Sequence, residues 1–404
     1  MQRTLSLRVY PTRRQESELR EWLFLGSLLH NACIEERSIR YRSHGLNTKA
    51  YDQIRELPAL KLADPRFAKP LANALQQVVL RVEKSFKNFF AKRSSYPHFT
   101  RTRFYRSLCL PKHGEDFKVA DRRIWIGKLG WMKARGQRSD WIQSWTPKSS
   151  VIEVKPAGKW FLHVQCELPD QNPAPHTGSA IGIDVGLTNL VALSDGTIVE
   201  NPRHLQRRAE RLAFLQRRLA RKQRGSRNRR KATLIVARQH AKVADARKDF
   251  HHKLSRSIVE KHVVIVVESG LEGLRRGRHA KGVHDAAWAQ LTNFIAFKAA
   301  EVGGQLVKVN ARGTSQECSG CGKLVPKGLA VRVHNCDTCG LVLDRDVNAA
   351  RNILKRGLAA IRGELPQRMG EVTPVEMGSH KPAPASAGGW LVPIREAGKL
   401  AAGT

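Results

Sequence analysis

The chain has 404 residues, of which 71 are lysine or arginine and 35 are aspartate or glutamate, giving a net charge of +36. A basic excess of this size repels itself unless a polyanion neutralises it, so nucleic acid is the expected partner. No run of about 18 apolar residues occurs and the N-terminus lacks a signal peptide's apolar core, so neither a membrane partner nor secretion is expected.

The first half of the chain changes from a strand pattern to helices and back. Apolar and polar residues alternate over residues 4–9, which predicts a half-buried strand. Apolar residues at helical spacing follow, and short strand-like runs return after them. We predict that residues 1–10 and 101–170 form one small β-barrel, with the helical block 11–100 inserted between its strands.

A stretch rich in Pro, at 169–178, marks a boundary before a second region. There a buried strand is predicted to end in the carboxylate of Asp184, and a second strand closes on the turn Asp195-Gly196. Residues 203–256 are densely basic, and part of them carries an apolar seam that predicts a long helix. Basic residues crowd one end of it, and so many charges of one sign favour phosphate contact over a merely solvated face. These residues are Arg217, Arg218, Arg221, Lys222, Arg224, Arg227, Arg229, Arg230 and Lys231.

Further elements of an α/β fold follow. The continuous apolar run from His262 to Glu268 predicts a strand buried on both faces, again ending in a carboxylate. An amphipathic helix is predicted over Trp288–Ala300 and a strand over Gln305–Asn310. Residues 359–404 lose periodicity and are rich in Gly, Pro, Ala and Ser, so a mobile tail is expected.

Four of the seven cysteines form two C-x-x-C pairs with fourteen residues between the pairs. They are Cys318, Cys321, Cys336 and Cys339. Four thiolates with this spacing satisfy tetrahedral Zn²⁺ and leave no open position, so one structural zinc ion is predicted. Two disulfides or unrelated thiols are the alternatives, and the glycines that turn each pair tightly favour zinc.

Three carboxylates lie where a buried strand ends or a helix begins: Asp184, Glu268 and Asp346. An acid in such a place is costly unless a cation compensates it. Each alone could be a helix cap or an ion-pair partner, and Asp344 competes with Asp346 because either could cap the helix. Three together in a basic chain favour a site for Mg²⁺ or Mn²⁺, and two such ions could promote phosphodiester hydrolysis.

These motifs resemble the TnpB family of bacterial insertion sequences, compact RNA-guided nucleases related to type V CRISPR effectors. The resemblance rests on five motifs between about residues 180 and 355, which stand in the family's order. They are Gly182-Ile-Asp-Val-Gly, Lys248-Asp-Phe-His-His-Lys-Leu-Ser, Val267-Glu268, Thr314-Ser-Gln-x-Cys-Ser-x-Cys-Gly and Asp344-Arg-Asp-Val-Asn-Ala-Ala-Arg-Asn-Ile. The family usually follows its glutamate with Asp-Leu, whereas this chain has Ser269-Gly270.

The resemblance implies an RNase H-like (RuvC-type) nuclease domain at 179–313 and 341–358, with the zinc ribbon inserted at 314–340 to bind target nucleic acid. The β-barrel would be the wedge domain, and the helical block would be the recognition lobe. Asp184, Glu268 and Asp346 would form the catalytic triad that holds two Mg²⁺ (or Mn²⁺) ions. The family's motif selects Asp346 rather than Asp344. The ribbon would also present basic residues, namely Lys323, Lys327 and Arg332.

The implied function is an RNA-guided DNA endonuclease of a bacterial insertion sequence, in the cytoplasm and associated with the nucleoid. Its partners would be a guide RNA from the end of the element and double-stranded DNA beside a short motif that the protein reads. The alternatives are a transposase or resolvase that acts without RNA, and a DNA-binding repressor that has lost cleavage. RNA that copurifies with the protein would argue against a transposase or resolvase that acts without RNA. The presence of all three acids disfavours a repressor that has lost cleavage.

Overall fold

The computed structural model describes residues 2–136, 145–167, 178–269, 280–328 and 330–363. The first part of the chain builds one antiparallel sheet, whose hydrogen-bonded order is β2-β6-β7-β1-β5-β4-β3. Its strands are β1 (Gln2–Tyr10), β2 (Ser107–Leu110), β3 (Phe117–Ala120), β4 (Arg123–Ile126), β5 (Gly130–Arg135), β6 (Thr146–Val154) and β7 (Trp160–Glu167). The N-terminal strand therefore lies in the middle of a sheet whose other strands come after the helical block.

That helical block packs onto the sheet through one shared apolar core. It contains α1 (Arg13–His44), α2 (Ala50–Arg55), α3 (Leu57–Ala63) and α4 (Ala72–Phe90). Helix α1 begins at a capping box, in which the Thr12 hydroxyl accepts from the Gln15 N–H at 3.3 Å and the Gln15 side chain accepts from the Thr12 N–H at 3.0 Å. The strand pattern of residues 4–9 buries Leu5, Leu7 and Val9 against this core.

The second part of the chain builds a five-stranded mixed sheet in the order β10-β9-β8-β11-β12. Strands β8, β11 and β12 are parallel, whereas β9 and β10 run antiparallel to their neighbours. The strands are β8 (Ser179–Val185), β9 (Asn189–Leu193), β10 (Ile198–Glu200), β11 (His262–Ser269) and β12 (Gln305–Asn310). The mixed α/β fold predicted from the sequence is thereby confirmed.

Helices cover this sheet on both faces, and a small hairpin completes the second part. The helices are α5 (Ala209–Ala220), α6 (Arg227–Lys261), α7 (Ala280–Ala286), α8 (Trp288–Glu301) and α9 (Arg345–Ile361). The hairpin pairs β13 (Val333–Asn335) with β14 (Val342–Asp344). Within β11, Ile265 and Val267 pack with α6 and α8, while Val266 packs with α9. The unbroken apolar pattern of β11 thus reflects burial on both faces.

Helix α9 lies unusually close to the two central strands. A Cβ on Gly182 of β8 would lie 2.1 Å from the backbone oxygen of Ala350 and 2.8 Å from the backbone nitrogen of Leu354. A Cβ on Gly357 would lie 2.4 Å from both methyl groups of Val266 in β11. Glycine is therefore required on each side of the contact, because any larger side chain would push the helix off the sheet.

Gly182→Ala is expected to destabilise the protein by about 3 kcal/mol or more, since the added methyl group meets backbone atoms that cannot rotate away. Gly328→Ala is the matched control, because nothing lies within 4 Å of a Cβ built there. Thermal unfolding of both variants tests the contact. Equal unfolding temperatures for the two variants would show that α9 does not pack this closely.

Helix α9 continues to Ile361, inside the stretch predicted as a tail, and residues from 364 onward lie outside the described part. The predicted linker 169–178 also lies almost wholly outside it. Among the described residues, none of the helices combines the length and apolarity needed to cross a membrane.

Candidate functional site

The ends of two neighbouring parallel strands bring two of the predicted acids together. Ile183 of β8 pairs with Val267 of β11, so Asp184 and Glu268, which follow them, lie at the same end of the sheet. Ile183 and Val267 both belong to the core that includes α6 and α8. Because side chains alternate along a strand, both carboxylates project to the opposite face, where α9 packs.

The first turn of α9 separates the roles of two neighbouring aspartates. Asp344 is the N-cap: its Oδ1 accepts from the backbone N–H of Asp346 at 2.7 Å and of Val347 at 3.3 Å. Its carboxylate is therefore committed to the helix end, where a negative charge is stabilising. Asp346 is 7% exposed and close enough to Asp184 and Glu268 to raise the pKa of both. The charges of both Asp346 and, more weakly, Asp344 raise the pKa of Asp184, but only Asp346 also raises that of Glu268, so Asp346 stays the predicted third acid.

Burial and the charges of neighbouring acids make the carboxyls of Asp184 and Glu268 hard to ionise. Burial raises the pKa of Asp184 well above its usual range, and the charges of Glu268 and Asp346 raise it further. Burial likewise raises the pKa of Glu268 from its usual 4.5 to about 7; the Val185 N–H opposes this shift and Asp346 adds to it. A divalent cation would relieve this cost and displace the protons that the site otherwise retains.

Two arginine side chains and one asparagine side chain already contact the Asp346 carboxylate. Arg345 donates to Oδ1 from Nε at 3.3 Å and from Nη2 at 3.2 Å. Arg332 of the ribbon lies 3.7 Å from Oδ2 and donates to the Thr188 hydroxyl at 3.0 Å. Asn189 donates to Oδ2 at 3.4 Å. Among the residues that the structure describes, only the cysteines form a compact group of three or more potential metal ligands.

The donor set of the three acids nevertheless suits a divalent cation. Carboxylate oxygens are the ligands that Mg²⁺ and Mn²⁺ prefer, and Asp184 and Glu268 end adjacent strands on the sheet face against which α9, the helix that carries Asp346, packs. Bringing them closer would require a cation that offsets their repulsion and replaces the arginine contacts of Asp346. Their role as metal ligands therefore stays a prediction.

The four cysteines converge from the two ends of the ribbon. Cys318 Sγ lies 3.6 Å from Cys339 Sγ, Cys321 Sγ lies 3.6 Å from Cys336 Sγ, and all four sulfurs lie within 4.8 Å of one another. Zn–S bonds of about 2.3 Å place tetrahedral thiolates about 3.8 Å apart, so this spacing fits zinc. The backbone N–H groups of Cys339 and Thr338 lower the pKa of Cys336 to about 6, whereas, against the opposing Leu341 N–H, burial and the other three thiols raise the pKa of Cys339 to about 12. All four are free thiols in this structure, and the 3.6 Å separations exceed the length of a disulfide bond, about 2.05 Å, so the arrangement favours a metal over disulfides.

Removal of the metal is expected to unfold the ribbon, because structural zinc contributes on the order of 10 kcal/mol to folding in small modules. In Cys336→Ser, zinc content should fall and amide hydrogen exchange should accelerate over residues 314–344, while the antiparallel sheet keeps its protection. Cys109→Ser, which removes a half-buried thiol from β2, is the control and should keep its zinc. Unchanged protection of the ribbon in zinc-free protein would argue against a structural role.

The nine predicted nucleic-acid contacts lie on α5, on α6 and in the turn between them. Eight are exposed and have no carboxylate partner among the described residues. Arg229 differs: its Nη1 donates to the carbonyl oxygens of Leu219 at 3.2 Å and Lys222 at 2.7 Å. The Arg229 side chain therefore satisfies carbonyl oxygens at the end of α5 and stabilises the turn. The other eight side chains face solvent.

Sequence patterns missed the partners of the third acid. Asn189, Arg345 and Arg332 approach Asp346 from β9, from α9 and from the ribbon, so no local spacing connects them. A second group, on the polar side of α9, could have been found, because its members recur at every fourth residue. This group is Asn348, Asn352 and Arg356.

Two family profiles match the chain. OrfB_IS605, described as "Probable transposase", matches residues 163–269, and "Cas12f1-like, TNB domain" matches residues 288–353. A Streptomyces pristinaespiralis protein named "Putative RNA-guided DNA endonuclease" is 34% identical over 403 residues, covering 96% of this chain and 98% of the relative. InsQ of Escherichia coli (strain K12), of the same description, is 32% identical over 72% of this chain and 76% of its own length.

Solved structures share the fold. "Cryo-EM structure of the Cas12f1-sgRNA-target DNA complex" matches with a TM-score of 0.53 at 13% identity, over 87% of this chain and 98% of that chain. "Structure of the mini-RNA-guided endonuclease CRISPR-Cas_phi3" matches with a TM-score of 0.52 at 8% identity, over 88% and 92%. The Streptomyces relative matches almost the whole chain, and together with the two profiles it shows that the chain belongs to the TnpB family.

Proposed function

We propose that this protein is an RNA-guided DNA endonuclease of a bacterial insertion sequence and that Asp184, Glu268 and Asp346 form its cleavage site. The observation that carries the proposal is the placement of half-buried Asp184 and Glu268 at the same end of adjacent parallel strands, where the charge of buried Asp346 raises the pKa of both. The strand order β10-β9-β8-β11-β12 with α9 packed on it supports an RNase H-like (RuvC-type) nuclease domain. Two Mg²⁺ or Mn²⁺ ions bound there would activate a water and stabilise the leaving oxygen.

The three acids reach the site on elements of different rigidity. Asp184 and Glu268 stand on adjacent central strands, so the sheet fixes their separation. Asp346 arrives on α9 directly after the ribbon, so its position depends on how helix and ribbon are held. Because burial and Asp346 raise the pKa of Glu268, a bound cation would have to displace a proton from its carboxyl.

The outward face of the antiparallel sheet supports a nucleic-acid role for the first part of the chain. Along β1, buried Leu7 and Val9 alternate with Arg8 and Tyr10, which face away from the core. The same alternation on β3, β4, β5 and β7 leaves further aromatic and basic side chains outward. They are Lys118, Arg123, Trp125, Trp131, Lys133, Arg135 and Phe161.

Cations and rings interleave on this face. The Arg8 guanidinium lies 5.1 Å from the ring centroid of Tyr10 and 5.4 Å from that of Phe161. Its Nε is buried without a hydrogen-bond partner within the described residues. Tyr10 and Trp131 remain 44% and 49% exposed. Such a surface suits unpaired nucleotides, because bases stack on aromatic rings while phosphates neutralise the cations. We assign this wedge-like sheet and its helical lobe to guide RNA and target recognition.

The exposed basic residues of α5 and α6 extend the positive surface onto the second part of the chain. Eight cations without a carboxylate partner in the described structure suit the backbone of a guide RNA–DNA heteroduplex, which proteins read by shape and charge. Base pairing would then supply sequence specificity, and the protein would read only a short adjacent motif.

The test is to purify the protein from cells, sequence the RNA that accompanies it, and supply duplex DNA that matches that RNA. We expect a discrete RNA with a defined 3′ end and Mg²⁺-dependent cleavage of matched DNA only. Digestion of the RNA should abolish cleavage. Nucleic-acid-free protein that cuts matched and unmatched DNA equally would contradict the proposal and support a transposase or resolvase instead.

A further inference from the structure

We propose that three side chains on one side of α9 are positioning residues that transmit the fixed geometry of the zinc ribbon to Asp346. They are Asn348, Asn352 and Arg356, spaced four residues apart, and we call them the α9 ladder. The inference rests on the proposed function, because it concerns the third acid of the cleavage site.

Asn348, the first residue of the α9 ladder, hydrogen-bonds the backbone on both sides of Cys318 in the first cysteine pair. The Asn348 side-chain oxygen accepts from the Ser319 N–H at 2.9 Å, and its Nδ2 donates to the Glu317 carbonyl at 2.7 Å. Ser319 and Glu317 flank Cys318, which is itself buried. Because Asn348 is fully buried, loss of these bonds would leave polar groups unsatisfied away from water.

Asn352 and Arg356, the other two residues of the α9 ladder, form hydrogen bonds with the segment that leads into the ribbon. Asn352 Nδ2 donates to the carbonyl oxygens of Thr314 at 2.9 Å and Glu317 at 2.6 Å. Arg356 donates to the Asn310 carbonyl at 3.0 Å and to the Glu317 carboxylate at 2.9 Å. The segment between β12 and Cys318 therefore follows α9 over two helical turns, bonded at each turn.

The opposite side of α9 explains why the ladder can act on Asp346. Ala350 and Leu354 lie directly on Gly182 of β8, the strand that carries Asp184. The sheet fixes how closely α9 approaches, and the ladder fixes how the helix is rotated and where its first turn begins. Asp346 sits in that first turn, so the ladder and the sheet together set its place relative to Asp184.

A purely structural role for the ladder is the alternative, and metal affinity distinguishes the two. Outer residues that orient metal ligands typically change metal affinity about 10- to 100-fold when removed. In the purified ribonucleoprotein, Asn352→Ala should keep its zinc and bind Mn²⁺ about tenfold more weakly by electron paramagnetic resonance. Cleavage should recover at high Mg²⁺. Lys355→Ala, an exposed residue of the same helix, should leave both properties unchanged.

A second variant keeps the test decisive if Asn352→Ala does not fold. Arg356→Lys, at a partly exposed position, keeps the positive charge beside Glu317 and loses most of the donors to the Asn310 and Arg312 carbonyls, so a smaller loss of Mn²⁺ affinity is expected. Folded, zinc-loaded variants with wild-type Mn²⁺ affinity would overturn the positioning role. Equal Mn²⁺ binding by the wild-type and Asp184→Ala ribonucleoproteins would overturn the proposed cleavage site instead, so the two failures are distinguishable.

Discussion

Asp346→Ala is expected to lower the rate of DNA cleavage at least about a thousandfold, because a lost metal ligand removes several kcal/mol of transition-state stabilisation. Asp344→Ala is expected to cost about 1 kcal/mol of unfolding free energy through the lost cap. Even if this whole loss of free energy raised the barrier to cleavage, the cleavage rate would fall only about tenfold. Single-turnover cleavage of guide-matched DNA measures both effects.

Asp344→Ser is the matched control for this pair, since serine also caps helices well. It should restore most of the stability and activity lost in Asp344→Ala. The contrast rests on two observations: Oδ1 of Asp344 accepts from the N–H groups of Asp346 and Val347, whereas the charge of Asp346 raises the pKa of both Asp184 and Glu268. Wild-type cleavage by Asp346→Ala would refute the assignment.

The Mg²⁺ requirement of cleavage is expected to rise as pH falls below about 7. Burial holds the pKa of Glu268 near 7 and that of Asp184 above its usual range, so protons compete with the cation. Each carboxyl that must lose a proton should lower the apparent Mg²⁺ affinity about tenfold per pH unit below its pKa. The half-saturating Mg²⁺ concentration at pH 6, 7 and 8 measures this, with zinc content checked at each pH. Identical values at pH 6 and pH 8 would contradict it.

The same pKa shift predicts the stability of the Mg²⁺-free protein. Folded Glu268 keeps its proton up to about pH 7, while in the unfolded chain the group ionises near its usual 4.5. The folded state therefore binds more protons between these values, and stability falls as pH rises, by about 3 kcal/mol in total. Added Mg²⁺ should reverse the loss above pH 7. Glu268→Gln should remove this part of the pH dependence, as measured by denaturant unfolding in Mg²⁺-free buffer.

Much of the nuclease-like sheet could be predicted because its elements have strong local patterns. The short apolar run from His262 to Glu268, rich in valine, favours a strand buried on both faces, and the structure has that strand as β11. The acids at the ends of β8 and β11 meet because parallel strands end at the same edge of a sheet. The ribbon was predictable for a different reason, since two cysteine pairs have few other uses.

The remaining features depend on contacts between distant segments. Asp344 and Asp346 are alike in local chemistry, so only the family motif selected Asp346; that Asp344 caps α9 became evident from the structure. The basic pattern of α5 and α6 does not reveal that Arg229 is used to close a turn. The aromatic and basic face of the first sheet could not be predicted either. Arg8 lies beside Phe161 because of the register between β1 and β7, which spacing along the chain does not reveal.

The most direct test of the cleavage site replaces one non-bridging oxygen of the cleaved phosphate with sulfur. Sulfur binds Mg²⁺ poorly and softer ions better, so a metal bound by Asp184, Glu268 and Asp346 should make cleavage slow in Mg²⁺ and restore it in Mn²⁺. The assay uses guide-matched duplex DNA and the wild-type ribonucleoprotein, with Asp184→Ala as the inactive reference. We predict rescue by Mn²⁺ in the wild type and no cleavage in the variant. An equal sulfur effect in both metals, or cleavage by Asp184→Ala, would contradict a metal-dependent site at these three acids.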